Sequence, residues 1–128
     1  MTVSKKKIGI SLRIVNAPNY KEKRDALSHD WPSFLIGIGY HPVLIPNAIP
    51  EINSFLRESE LEGLILSGGD NIGDTPERDI TENKIISFAI SNKIPIFGKF
   101  GYMFPALFED LIFIFPWIFL NMLNYILY

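Results

Sequence analysis

Four short apolar runs dominate what this chain can fold into. They are Lys7–Leu12 (KIGISL), His41–Ile45 (HPVLI), Gly63–Ser67 (GLILS) and Pro95–Gly98 (PIFG). Each is short enough for a strand, and polar or turn residues bound each one. The segments between them are too long for hairpin turns and long enough for helices. Strands alternating with helices in this way form a parallel sheet with helices on both faces. The continuous apolarity of Gly63–Ser67 suits a strand covered on both sides. In such sheets ligands sit at the carboxyl ends of the strands. The ends of the third and fourth runs are therefore where chemistry is expected.

The intervening segments read as follows. Asn16-Ala17-Pro18-Asn19 is a turn cluster. Tyr20, Ala26, Leu27, Trp31, Phe34, Leu35 and Ile38 share helical spacing, which predicts a helix over 20–38 that Pro32 kinks or splits. Gly39 suits a helix C-terminus, and Pro42 sits near the start of its strand. Pro50–Arg57 reads as a short helix with Pro50 in its first turn. Asp79-Ile80-Thr81-Glu82 reads as a helix start, Asp79 capping and Glu82 at the capping-box position.

Composition excludes several classes. The chain has 128 residues and a net charge of −2, with no basic face to favour nucleic acid. It contains no cysteine, hence no disulfide, thiolate metal site or thiol nucleophile. No metal site or cofactor is expected. The N-terminal MTVSKKKIGISL has too short an apolar run for a signal peptide, so a cytoplasmic start is expected. Composition changes abruptly after Gly98. Leu111–Tyr128 is 18 residues without a charge, crowded with aromatics. That length is at the lower limit for a membrane span, and Pro116, Asn121 and Asn124 argue against one. Two segments are expected: 1–98, an α/β unit, and 99–128, a divergent apolar tail.

The stretch Ser67-Gly68-Gly69-Asp70-Asn71-Ile72-Gly73 follows the third strand directly. Two readings stand. Glycines let a backbone approach a ligand and aim N–H groups at an anion, or they merely turn the chain. Neither GxxxxGK[ST] nor GxGxxG is present.

The order and spacing of Ile8–Ser11 with Arg13, Tyr20-x-Glu22-x-Arg24-Asp25-Ala26-Leu27-Ser28-x-Asp30-Trp31, Pro42–Asn47, Leu61–Gly73, Thr75–Glu82 and Ile94–Gly98 resemble the class I glutamine amidotransferase-like family. The match is nearest its gamma-glutamyl hydrolase branch, related to gamma-glutamyl-gamma-aminobutyrate hydrolases, and runs from about Ile8 to Gly98. The resemblance implies a doubly wound, flavodoxin-like parallel sheet, here partial and incomplete at its C-terminal side. It also implies hydrolysis of a small gamma-glutamyl or glutamine-like amide through a Cys-His-acid triad. Gly68 and Gly69 would then provide oxyanion-hole donors, with Asp70 and Asn71 lining the same pocket or making a hydrogen-bonded turn. Arg78 and Asp79 would be structural, Arg78 pairing with a nearby acid.

The family's nucleophile is a cysteine on the turn after the next strand. Here Gly98 fits that pattern, but Lys99 and Phe100 follow where the cysteine is expected. A Phe side chain has no nucleophilic atom, and a Lys of ordinary pKa, about 10.4, is protonated. The family's histidine lies well beyond the nucleophile, and His29 and His41 do not match its motif. A frameshifted or truncated relative, inactive alone, is the reading these absences favour. A non-catalytic module binding a gamma-glutamyl ligand is an alternative, and a membrane-associated protein using the tail is another.

Overall fold

The computed structural model describes residues 5–67 and 73–98. All four expected strands form and lie side by side, in parallel. They are β1 (Lys7–Ser11), β4 (His41–Ile45), β5 (Gly63–Leu66) and β6 (Ile96–Gly98), in the spatial order β4-β1-β5-β6. Their register pairs Gly9 with Val43 on one side and with Leu64 on the other. Ile65 pairs with Phe97 at the β5–β6 seam. Three helices connect them: α1 (Asp30–Gly37), α2 (Ile52–Glu58) and α3 (Pro76–Ser91). The step from β1 to β4 runs opposite to the steps from β4 to β5 and from β5 to β6. Right-handed crossovers therefore place α1 on one face and α2 with α3 on the other. Accordingly α1 packs on β4, and α2 packs against α3. The tail 99–128 lies outside the described residues, as do residues 1–4.

The helix expected over 20–38 is corrected. Its first part is instead an antiparallel hairpin, β2 (Arg13–Asn16) with β3 (Lys23–Ala26), inserted between β1 and α1. The Ala17 N–H closes the turn on the Glu22 carbonyl at 2.9 Å. Tyr20 is exposed and takes no part in the core, whereas Leu27, Trp31, Phe34, Leu35 and Ile38 do pack there. Of these core residues only Trp31, Phe34 and Leu35 lie within α1 itself. Because α1 starts at Asp30, Pro32 falls in its first turn. A missing N–H there forfeits no intrahelical bond, so no kink is required.

Gly39 ends α1 as expected, with φ +91°. Its N–H reaches the Ile36 carbonyl at 3.0 Å, and the Tyr40 N–H reaches that of Leu35 at 2.9 Å. This double closure is a Schellman motif, with buried Tyr40 and Leu35 as its apolar pair. Pro42 lies on β4, an edge of the four-stranded sheet, where a lost N–H is tolerated. Helix α2 begins later than expected, at Ile52. Pro50 stands outside it, because Glu51 has a non-helical backbone.

The core is built on the period-2 pattern of β1. Ile8 and Ile10 point to one face. Gly9 and Ser11 point to the other, where α2 and α3 lie. A Cβ on Gly9 would meet the δ-methyls of Leu61, Leu64 and Ile45 at 2.8, 2.8 and 2.9 Å. One such methyl can move aside, but three converging in a close-packed core cannot all do so cheaply. Gly9→Ala is therefore expected to cost roughly 1–3 kcal/mol, read as a lowered urea midpoint at unchanged slope. A midpoint equal to the parent's would show that the three methyls can relax.

Candidate functional site

The carboxyl ends of β1 and β5 carry a buried polar cluster. Ser11 closes β1, Ser67 follows β5, and Arg78 and Glu82 lie one turn apart on α3. The Ser67 N–H donates to Ser11 Oγ at 2.9 Å, and Ser11 Oγ donates to Glu82 Oε1 at 3.1 Å. Arg78 Nε donates to the same Glu82 oxygen at 3.0 Å. Arg78 is 1% exposed and Glu82 6%, so the ion pair is out of water. The expected pairing of Arg78 with a nearby acid is thus met, by Glu82 at i+4. Charges are buried at large desolvation cost unless paired and hydrogen-bonded, and these are both.

This cluster positions chain rather than performing chemistry. Ser11 is wholly buried, and its single hydroxyl hydrogen is committed to Glu82. The 3.5 Å contact between the two serine hydroxyls then has Ser67 as donor. Among the described residues, no imidazole is part of the cluster. His41 opens β4, at the amino end of the sheet, and His29 stands just before α1; both are exposed.

The helix start expected at Asp79 is corrected. Helix α3 begins at Pro76, with Thr75 at its N-cap. Proline suits the first helical position because that N–H has no intrahelical acceptor. Asp79 therefore lies inside the first turns and does not cap, and Glu82 faces the core instead of closing a capping box. Asp79 bonds elsewhere, its Oδ2 accepting the N–H of Gly73 at 2.8 Å. Thr75 Oγ1 makes no capping bond and is buried without a partner in the described residues.

The hairpin, which the sequence pattern did not disclose, reaches over to this edge. Lys23 and Asp25 are two apart on β3 and so share a face. Lys23 pairs with Glu77 in the first turn of α3. Asp25 accepts the Asn47 backbone N–H at 2.9 Å and its side-chain amide at 2.7 Å. Asn47 also donates to the Leu12 carbonyl at 3.0 Å, tying the β4–α2 connection to β1. Below these contacts is a groove of about 120 Å³ between Ile49 and Ile52 on one wall and Ile80, Thr81 and Lys84 on the other. Arg24 pairs with Glu22 and lies over the Tyr20 ring, its guanidinium carbon 5.3 Å from the centroid.

The Lys23 ammonium, through its hydrogen bond, holds the Glu77 carboxyl below the usual carboxylate range, and a backbone N–H adds to this. A depressed folded-state pKa stabilises above the unfolded value, about 4.3, and that stabilisation is lost as pH falls through the folded one. Lys23→Ala is thus expected to raise the Glu77 titration midpoint, followed by carboxyl carbon NMR shifts. An unmoved midpoint would mean that the pair does not persist in solution. The Glu77 carboxylate stays open to solvent, so little effect on overall stability is expected.

The residues singled out from the sequence are only partly within view. Gly68, Gly69, Asp70 and Asn71 lie outside the described residues, as do Lys99 and Phe100. Their flanks are described: Ser67 and Gly73 around the glycine stretch, and Gly98 closing β6 beside Leu66 of β5. The ends of the third and fourth expected strands are therefore neighbours at one sheet edge. Sequence reasoning missed Ser11, Ser67 and the inward role of Glu82. The polar Ser11 ending an otherwise apolar strand was the available signal. Among the described residues, no group of three His, Cys, Asp or Glu side chains is placed to hold a metal ion. No helix among them is long and apolar enough to cross a membrane.

No family model matches the chain. It is distantly homologous to the gamma-glutamyl-CDP-amidate hydrolase of Campylobacter jejuni subsp. jejuni serotype O:2, at 29% identity over 102 residues. The alignment takes in 71% of this chain and 48% of that protein, so the chain spans about half the length of the relative it matches.

Proposed function

We propose that residues 1–98 are the N-terminal part of a class I glutamine amidotransferase-like domain of the gamma-glutamyl amide hydrolase type. We further propose that the 128-residue polypeptide has no hydrolase activity of its own. The observation carrying this reading is the adjacency of the β5 and β6 ends, together with the absence of any cysteine. The family resemblance places an oxyanion loop after the first of these strands and a nucleophile after the second. In this chain the first position reads Gly68-Gly69, as the family requires. The second reads Lys99-Phe100, which supplies no nucleophile. The homology to a gamma-glutamyl-CDP-amidate hydrolase supports the reaction class, a gamma-glutamyl amide being the substrate type.

In this reading Gly68 and Gly69 supply backbone N–H donors to the tetrahedral oxyanion. Loss of one such donor costs about 100- to 1,000-fold in rate. The change of composition after Gly98 marks 99–128 as a separate, divergent segment, consistent with a shift of reading frame near the nucleophile codon. The nucleotide sequence across codons 98 to 128 tests this. Another frame should encode a cysteine just after Gly98 and, further on, a histidine-containing family segment. A downstream sequence with neither in any frame would overturn the frameshift.

A binding role without turnover is the second reading, favoured by the intact anchoring of Ser67 and Gly73. Calorimetric titration with L-glutamine separates the two, since only the binding module should give saturable heat.

A further inference from the structure

We infer that the β2–β3 hairpin is a hinged strap over the groove between α2 and α3, held shut by two polar clasps on β3. Among the described residues the hairpin forms a sheet of its own and pairs with no strand of the four-stranded sheet. Such a two-stranded ribbon is marginal in water unless something docks it. Apolar burial supplies little of that docking. Ile14 and Ala26 are only half-buried, and the other residues of both strands are exposed. Buried Leu12 precedes the hairpin, and Leu27, packed on the core, follows it. These two are the hinges.

The clasps are polar and sit side by side. Lys23 and Asp25, two apart on one face of β3, are about 7 Å apart along the strand. Lys23 pairs with Glu77 of α3, and Asp25 accepts both the Asn47 backbone N–H and its side-chain amide. Glu77 and Ala48, the residue after Asn47, both line the groove, from its α3 and α2 sides. Strand β3 therefore joins the two walls at the mouth of the groove. The shut position also carries opposing terms. Ala48 is at φ +61°, a left-handed backbone that a residue with a Cβ adopts at a cost. Asn47 donates both amide hydrogens, to Asp25 and to the Leu12 carbonyl, while its Oδ1 is buried with no partner among the described residues. Strain and an unmet acceptor thus lie beside the clasp that holds them in place, and release of Asp25 lets both relax. Exposed ion pairs such as Lys23 with Glu77 are weak and screened by salt. A strap held this way opens without unfolding the sheet beneath it.

The test uses the full chain, with amide hydrogen exchange read by NMR. The Asn47 N–H, bonded to Asp25, and the Ala17 N–H, bonded to the Glu22 carbonyl within the hairpin, report the strap. Ile10 and Ile65 report the sheet. Lys23→Ala should speed exchange at Asn47 and Ala17 together by about two- to fivefold and leave Ile10 and Ile65 as they were. The Lys23 side chain bonds neither reporter, so only a shared opening links them. Lys23→Arg, which keeps the charge, should restore most of the protection, and about 0.5 M sodium chloride should act on the parent as Lys23→Ala does. Asp25→Ala removes the other clasp and should speed exchange at Ala17 by about tenfold. A dissolved gadolinium chelate then reads the groove. Its broadening of the Ile52 methyl signals should rise in Asp25→Ala, while that of exposed Ile80 stays the same. If Lys23→Ala leaves Asn47 unmoved, if both reporters move only in step with Ile10 and Ile65, or if both are unprotected in the parent, the hairpin is no strap. Faster exchange with unchanged broadening at Ile52 would overturn its cover of the groove.

Discussion

Phe100→Cys is expected to leave the 128-residue chain without measurable hydrolysis of a gamma-glutamyl amide, while a gene with its alternative frame restored recovers it. The substitution puts a thiol where the family resemblance expects one. An unassisted thiol has a pKa of about 8.5 and is mostly protonated at neutral pH. Activation needs a neighbouring base, itself oriented by a third group. The chain's two histidines are exposed, and His41 stands at the amino end of the sheet, opposite the edge where β5 and β6 end. Among the described residues, the buried carboxylate at that edge, Glu82, is already engaged by Ser11 and Arg78. Nucleophile and base act as a unit, so supplying one without the other recovers little of the acceleration. The comparison is a single gamma-glutamyl amide hydrolysis assay on the parent, Phe100→Cys and the frame-restored protein. Family-like turnover by Phe100→Cys alone would mean that a base exists within these residues, and the proposed inactivity would be wrong.

Glu82→Ala is expected to destabilise the chain by about 3–5 kcal/mol, because it removes a carboxylate that both the buried Arg78 guanidinium and the buried Ser11 hydroxyl bond. Arg78 is 1% exposed, so water cannot readily replace the lost partner. Ser11 loses its acceptor in the same step. A domain's whole stability is about 5–15 kcal/mol, so this variant should be largely unfolded or much lowered in melting temperature. Replacing both charges, as in Arg78→Met with Glu82→Leu, should recover most of the loss, since neither side chain then needs a charged partner. Urea unfolding followed by circular dichroism reads both variants. A cost for Glu82→Ala below about 1 kcal/mol would place the pair among surface ion pairs in energetic terms, against its burial.

The sequence by itself determined the parallel sheet. Strand-length apolar runs with helix-length spacings leave few alternatives, because a parallel crossover needs a dozen or more residues and is right-handed. It determined the end of α1 as well, since Gly39 at φ +91° is a local requirement of the backbone. The pairing of Arg78 with a nearby acid came from the family resemblance, and the fold decided that the acid is Glu82. Tertiary structure alone decided the hairpin. Lys23–Ala26 has no strong strand signature. It is extended because Arg13–Asn16 lies alongside and because Glu77 and Asn47, distant in sequence, hold its side chains. Tertiary structure also decided that Asp79 serves Gly73 rather than its own helix end, and that Glu82 turns inward to Ser11. Capping patterns are written over four residues and cannot register an acceptor demanded by a strand 71 residues away. That demand arises only when β1, β5 and α3 meet, and a buried hydroxyl there must find a partner.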